Sequence, residues 1–202
     1  DTGRTLNITS FYINLSDTSL ASSGIILYGS GPIHIKDGYS AGHTDGIYSG
    51  STSSDITFDN ITIIKNSNYG VNFGSGTITG GEMKNCNITK NNIYGIYLNT
   101  GLNNFNFYNN TIKYNYKRDI YIKSSASVFS NTFWNNNFEV RLMIEDYDGD
   151  NYWNSSTTGN LWDNYDSDDE GCFNDTTSHC TIPYTISGTG GAVDEKPIYT
   201  GI

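Results

Sequence analysis

The sequence predicts an all-β fold, a right-handed parallel β-helix (solenoid) of about six coils finished by a C-terminal cap. Three observations carry that prediction. A small or polar residue followed by apolar, any, apolar recurs at Gly24 (GIIL), Gly46 (GIYS), Gly70 (GVNF), Gly95 (GIYL), Asp119 (DIYI) and Glu139 (EVRL), in steps of 22, 24, 25, 24 and 20 residues. The repeats are dense in Ile, Val, Thr, Tyr and Phe in short alternating runs broken by Gly, Asn and Ser, and carry almost no Ala, Leu or Glu at helical spacing. That composition selects strands over helices. Asparagines stand in columns: Asn66, Asn91 and Asn115 lie four residues before the motif's first position, and Asn60, Asn85 and Asn109 lie six residues earlier.

The elements follow in chain order. Ahead of the first motif, TLNITSFYINLS reads directly as strands, with no capping segment in front of them. Each period then supplies three short runs. The motif is one strand; a second run appears as IHI (33–35), ITF (56–58), FNF (105–107) and SVF (127–129); a third forms the inward column Ile63, Ile88, Ile112 and Phe133. Side chains alternate along a strand, so these columns face one interior while their neighbours face water. Asn tolerates the left-handed backbone of a sharp corner, and amides stacked about 4.8 Å apart on successive coils can hydrogen-bond into a ladder. The motif's outward residue gives a surface column of Ile26, Tyr48, Asn72, Tyr97, Tyr121 and Arg141. Residues 1–150 are assigned to the solenoid. Residues 151–202 are a capping extension with an acidic and disulfide loop, in which Trp153, Trp162, Pro183 and Tyr184 cover the open coil end.

Composition narrows the partners. A formal charge of -10 with only 11 Lys and Arg leaves no basic run for phosphates, which argues against nucleic acid and anionic membrane surfaces and favours cations. No apolar segment approaches the roughly 20 residues that cross a bilayer, so direct membrane insertion is not expected. Nothing at Asp1 reads as a signal segment, which predicts a mature or trimmed chain. Cys172 and Cys180 close a short loop suited to a bridge in an oxidising compartment, leaving Cys86 free and buried. Seven Asn-x-Ser/Thr sequons begin at Asn7, Asn14, Asn60, Asn87, Asn109, Asn154 and Asn174, as in a secreted glycoprotein.

At this point the residues reach a known family. The pattern NNTI…N…GIYL resembles the parallel β-helix (PbH1) repeat of pectate-lyase-like folds. The stretch from Asn151 to Ile186 resembles the C-terminal signature of NosD-like β-helix proteins of archaeal cell surfaces, matching at Trp153-Asn154, at GNLWDNY (159–165) and at PYTI (183–186). It departs where relatives carry an Asp-Gly-x-Gly-Asp loop and this chain has the Cys172 to Cys180 loop. The resemblance implies an extracellular, cell-surface protein.

Enzymes on this fold work from the outer face of one sheet, where a lyase needs carboxylates and a base and a hydrolase two facing carboxylates. The outward column offers neither. Asp45, Arg118 and Asp119 lie near its edge on different coils, which predicts corner salt bridges. His34, His43 and His179 form no metal spacing, and with two Met and three His the copper delivery associated with the NosD name lacks ligands, so no copper is expected. Tyr48, Tyr69, Tyr94, Tyr97 and Tyr121 form a candidate binding face for protein or sugar. Two acidic stretches offer oxygens for structural Ca²⁺: Asp146, Asp148 and Asp150, then Asp166, Asp168 and Glu170. These features predict a non-catalytic structural or adhesive protein that assembles with its own copies or other surface proteins into a filament or layer. The alternative is a carbohydrate-active protein, polysaccharide-binding or lyase-type.

Overall fold

The computed structural model describes residues 4–15, 22–124, 127–138, 144–147, 150–188 and 191–201. In chain order its strands are β1 (Leu6–Asn14), β2 (Ile25–Leu27), β3 (Ile33–Ala41), β4 (Asp45–Ser49), β5 (Ile56–Ile64) and β6 (Tyr69–Phe73). There follow β7 (Gly81–Lys84), β8 (Asn87–Thr89), β9 (Tyr94–Leu98), β10 (Phe105–Tyr108), β11 (Thr111–Lys113) and β12 (Arg118–Ile122). The last are β13 (Thr132–Trp134), β14 (Asn137–Phe138), β15 (Glu145–Asp146), β16 (Leu161–Trp162), β17 (Tyr184–Thr185) and β18 (Val193–Asp194). No α-helix occurs among the described residues; a single 3₁₀ turn covers Asp168–Glu170.

Every pairing in the solenoid is parallel, and one sheet, β2-β4-β6-β9-β12-β15, collects one strand from each of six coils. The other two runs share a larger sheet because β1, β3 and β5 pass through their corner unbroken, whereas later coils split there into β7 and β8, β10 and β11, β13 and β14. The corner residues are Ser10, Asp37, Asn60, Asn85, Asn109 and Asn135, all held at φ between +52° and +56°. Asn and Asp adopt this left-handed region most readily among residues with a side chain. A continuous core of Ile, Phe, Leu and Val fills the interior.

Register corrects three sequence assignments. The third-run column is Ile63, Ile88, Ile112 and then Phe138, not Phe133. Phe133 continues Phe58, Met83 and Phe107, because the corner at Asn135 divides the two runs. SVF (127–129) does not align with FNF: Phe129 bridges Asn103 instead. The outward column ends at Glu145, which pairs with Tyr121; Glu139 and Arg141 lie outside the described residues.

The backbone corners explain the asparagines. A left-handed residue turns the chain so that the next side chain points inward: Lys65 precedes Asn66, Lys90 precedes Asn91 and Tyr114 precedes Asn115. These three amides are buried, and the first two Nδ2 groups donate to the next coil's oxygen: Asn66 to Asn91 at 2.8 Å, Asn91 to Asn115 at 2.9 Å. The same oxygens accept the backbone N–H of the preceding coil, as Asn91 does from Asn66 at 3.2 Å. A second ladder runs Asn110, Asn136, Asn160, at 2.9 and 3.0 Å. The expected column Asn60, Asn85, Asn109 is therefore one residue early: those positions make the corner, and their side chains reach different partners, Asn60 to Asp37, Asn85 to Asp59, and Asn109 from Asn135. A third, shorter ladder joins Asn131 to Asn151 at 2.9 Å.

Each ladder passes a donor forward, so its last amide needs an acceptor with no N–H of its own. All three end on a buried aspartate. Asn115 donates to Asp119 at 2.8 Å, Asn151 to Asp146 at 3.1 Å, and Asn160 to Asp194 at 3.2 Å. Trp153 and Trp162 add their indole N–H groups, Trp153 to Asp146 at 3.1 Å and Trp162 to Asp194 at 3.0 Å.

Solenoid pairing continues past residue 150, because Tyr152 bridges Thr132 and β16 pairs β14. The cap proper is the antiparallel pair β17 and β18 with the loop closed by the Cys172–Cys180 disulfide. Tyr184 stacks on Trp162 with ring centroids 4.2 Å apart, and β18 brings Asp194 to the ladder end. Gly159 permits this approach, since a Cβ there would meet Asp194 Oδ1 and the Lys196 carbonyl.

Candidate functional site

The outer face of the six-stranded sheet begins from a backbone requirement. Gly46, Gly70 and Gly95 lie against the first asparagine ladder; a Cβ on Gly70 would stand 2.6 Å from Ile88 Cγ2 and 2.8 Å from Asn91 Nδ2. The glycine therefore faces inward, and the residues before it, Asp45, Tyr69, Tyr94 and Arg118, turn outward beside the column of Tyr48, Asn72, Tyr97, Tyr121 and Glu145. Two outward columns run side by side on one face.

Four of the five expected tyrosines meet there. Tyr69 and Tyr94 stack at 5.4 Å and 10°, Tyr97 and Tyr121 at 5.7 Å and 18°, and the two pairs touch through Tyr69–Tyr97 at 4.9 Å and Tyr94–Tyr121 at 4.8 Å. Tyr48 stands apart across Asn72, against Tyr28 and hydrogen-bonded with Ser75 at 3.2 Å. Because the rings stack on one another along the solenoid, their faces are largely occupied, and the Tyr97 hydroxyl donates to Asn99 Oδ1 at 3.0 Å. Burial, and then the neighbouring tyrosines, push the Tyr97 hydroxyl above its ordinary range, and burial does the same at Tyr69 and Tyr94. These three hydroxyls are therefore neutral at physiological pH.

Carboxylates bound the row. Glu145 forms an ion pair with Arg118, whose guanidinium carbon lies 5.7 Å from the Tyr121 ring centre. At the other end Asp45 accepts the Asn72 amide at 2.8 Å, and burial raises its pKa against the pull of that amide and the Tyr69 backbone N–H. The expected corner salt bridges thus resolve differently: Arg118 pairs with Glu145, while Asp119 ends a ladder. Asp45 and Glu145 stand four coils apart, roughly 19 Å at about 4.8 Å per coil. Paired glycosidase carboxylates stand about 5–9.5 Å apart.

The described residues of the acidic stretches are engaged elsewhere. Asp146 is buried and spent on Asn151 and Trp153, Asp148 lies outside the described residues, and Asp150 is exposed. Asp166 binds Thr200 at 3.0 Å, Asp168 opens the 3₁₀ turn, and Glu170 accepts the Asp166 backbone N–H at 3.0 Å. Among the described residues no group of three or more His, Cys, Asp or Glu is placed to hold a metal. Of the sequons, Asn7, Asn14, Asn60, Asn87, Asn109 and Asn174 are exposed and Asn154 is half-buried. Asn60 and Asn109 stand at the corner, which by itself accounts for asparagine at those two positions.

A family model described as "Periplasmic copper-binding protein (NosD)" matches residues 3–167. No curated protein and no solved structure matches the chain. The family match overturns the expectation that copper plays no part, since copper binding is how that family is described. Among the described residues the soft and imidazole donors do not converge on one centre. His43 is buried beside the first ladder, His179 is held between Thr177 and Thr158, Met83 is in the core, and Cys172 and Cys180 are bridged. Burial pushes the Cys86 thiol up to about 12, away from the thiolate a metal would bind. The described residues therefore do not compose a copper site.

Proposed function

The chain belongs to the NosD family of β-helix proteins, described as periplasmic, and from that premise we propose that it is a non-catalytic structural protein that docks a protein partner, a second copy first, through its tyrosine row. The observation that carries this reading is the row itself. Stacking satisfies the ring faces internally, leaving a rigid strip of edges and hydroxyls, which suits a flat protein surface with hydrogen-bonding groups better than a sugar ring seeking a free aromatic face. The wide separation of Asp45 and Glu145 supports a contact role over glycoside hydrolysis. The C-terminal coil end is covered by the cap, so lateral contact through the row, rather than end-to-end stacking on that side, is the route to a filament or layer.

The test compares the wild-type chain with a Tyr97→Ser/Tyr121→Ser double variant by light scattering and negative-stain imaging. Concentration-dependent assembly that the double variant loses is the expected result. Dispersed wild-type monomers that depolymerise an acidic polysaccharide would establish the carbohydrate-active alternative instead.

A further inference from the structure

The tyrosine row has a carboxylate at each end, and only one of them has a cation. At the β12 end Arg118 closes on Glu145 and lies over Tyr121. At the β4 end Asp45 is 6% exposed and Asn72 8% exposed, and the pair is joined through Asp45 Oδ2 and Asn72 Nδ2 at 2.8 Å. The remaining atoms, Asp45 Oδ1 and Asn72 Oδ1, have no hydrogen-bond partner. Among the described residues the ion pairs are Lys36–Asp59, Lys84–Glu82 and Arg118–Glu145, none of which reaches Asp45.

Leaving two buried acceptors open is costly, and the cost falls only when donors or positive charge arrive. Both open atoms are acceptors, so an anion or a second acceptor has no place there. A planar guanidinium presents a fork of donors that can serve a carboxylate oxygen and a neighbouring amide oxygen together, and it stacks on aromatic rings as Arg118 does on Tyr121. Tyr69, half-buried and directly opposite Asp45 on the next coil, is the corresponding ring.

We propose that Asp45 and Asn72 form a receptor for a basic side chain, arginine first, supplied by the protein partner that docks on the tyrosine row. This rests on the docking reading above. The occupant repeats at β4 the arrangement that Arg118 provides internally at β12. The chain's charge of -10 steers a basic segment toward it.

The experiment titrates the isotopically labelled chain with the peptide acetyl-Gly-Arg-Gly-amide while following the Asn72 side-chain amide and the Tyr69 ring by NMR. A citrulline peptide serves as a neutral isostere. Saturable shifts at both residues, absent with citrulline and weakened about tenfold or more in Asp45→Asn, are expected. Equal shifts with citrulline, undiminished binding in Asp45→Asn, or no shift at any concentration up to the solubility of the peptide would overturn the proposal. The citrulline comparison on the wild-type chain is decisive even where Asp45→Asn fails to fold. Should the peptide fail while the tyrosine double variant still loses assembly, the arginine receptor falls and the docking face stands. Should the peptide bind while the wild-type chain never assembles, the receptor stands and self-docking through the row falls.

Discussion

The asparagine ladders inside the solenoid and the tyrosine row outside it both recur once per coil, yet they answer to different demands. Each ladder is closed: every amide hands its donor to the next coil, and an aspartate takes the last one. The row is open: its rings lean on one another, Asn72 interrupts the column between Tyr48 and Tyr97, and its four tyrosines stay half-buried on an outer face. Recurrence inside is dictated by hydrogen-bond closure at a buried corner. Recurrence outside is not required by that closure, which is why the outer column drifts from Ile26 through Tyr48 and Asn72 to Glu145.

The largest expected effect breaks the closed half of that comparison. Asn91→Ala orphans the Asn66 amide and backbone N–H on one side and removes the donor to Asn115 on the other. With each buried orphan costing about 1–3 kcal/mol, the loss should be about 4 kcal/mol, read as a lower urea midpoint with the slope unchanged. A loss under about 1 kcal/mol would show that water enters the corner and the ladder is not closed.

Next in size is a pH effect at the second ladder's end. Burial pushes the Asp194 carboxyl up to about 6 from 3.8, although four N–H contacts, two of them from Asn160, pull it down. The folded chain therefore keeps a proton that the unfolded chain releases between those values. Its contribution to stability is full below pH 4, falls as pH rises toward 6, and is flat above that, a change of about 3 kcal/mol. Subtracting the urea stability profile of Asp194→Asn from that of the wild type should isolate this slope. Gly159→Ala acts at the same place through sterics: the added Cβ forces Asp194 and Lys196 away, costing about 2 kcal/mol and changing Trp162 fluorescence as the cap lifts. An unchanged spectrum would mean the cap holds without that close approach.

What the sequence disclosed follows the same division. Asn66, Asn91 and Asn115 are legible because they keep a fixed offset from the motif's first position, a glycine packed against the ladder in two coils and the terminating Asp119 in the third. The second ladder was misplaced by one residue because Asn109-Asn110 and Asn135-Asn136 put a corner residue and a rung side by side, and only the second points inward. The doubled asparagine was the available signal. The terminating aspartates are not legible, since Asp194 lies 34 residues beyond Asn160 and outside any repeat, while Asp146 sits in an acidic run that reads as a set of cation ligands. The tyrosine face was visible as a column, but its membership depended on register: Tyr48 falls outside the cluster, and Glu145 takes the place assigned to Arg141. Counting His and Met could speak only to available ligands, not to what the family is described as binding.

The smallest expected effect on stability sharpens the open half. Replacing Tyr97 and Tyr121 by Ser removes one stacked pair and its contacts to Tyr69 and Tyr94 on a half-buried outer face, where cross-strand aromatic pairs contribute roughly 0.2–1 kcal/mol each. Contacts of Tyr97 with Tyr94 and of Tyr121 with Tyr147 go with them, but the core columns and ladders beneath are untouched, so the loss should be about 1.5 kcal/mol in all, below that of Asn91→Ala. If the row existed only to stiffen the sheet, its removal would cost stability without altering assembly. If it is a docking strip, assembly is lost while the monomer keeps nearly all its stability. A double variant that unfolds as readily as Asn91→Ala would place the row with the ladders, as part of what holds the solenoid together, and the contrast between inside and outside would disappear.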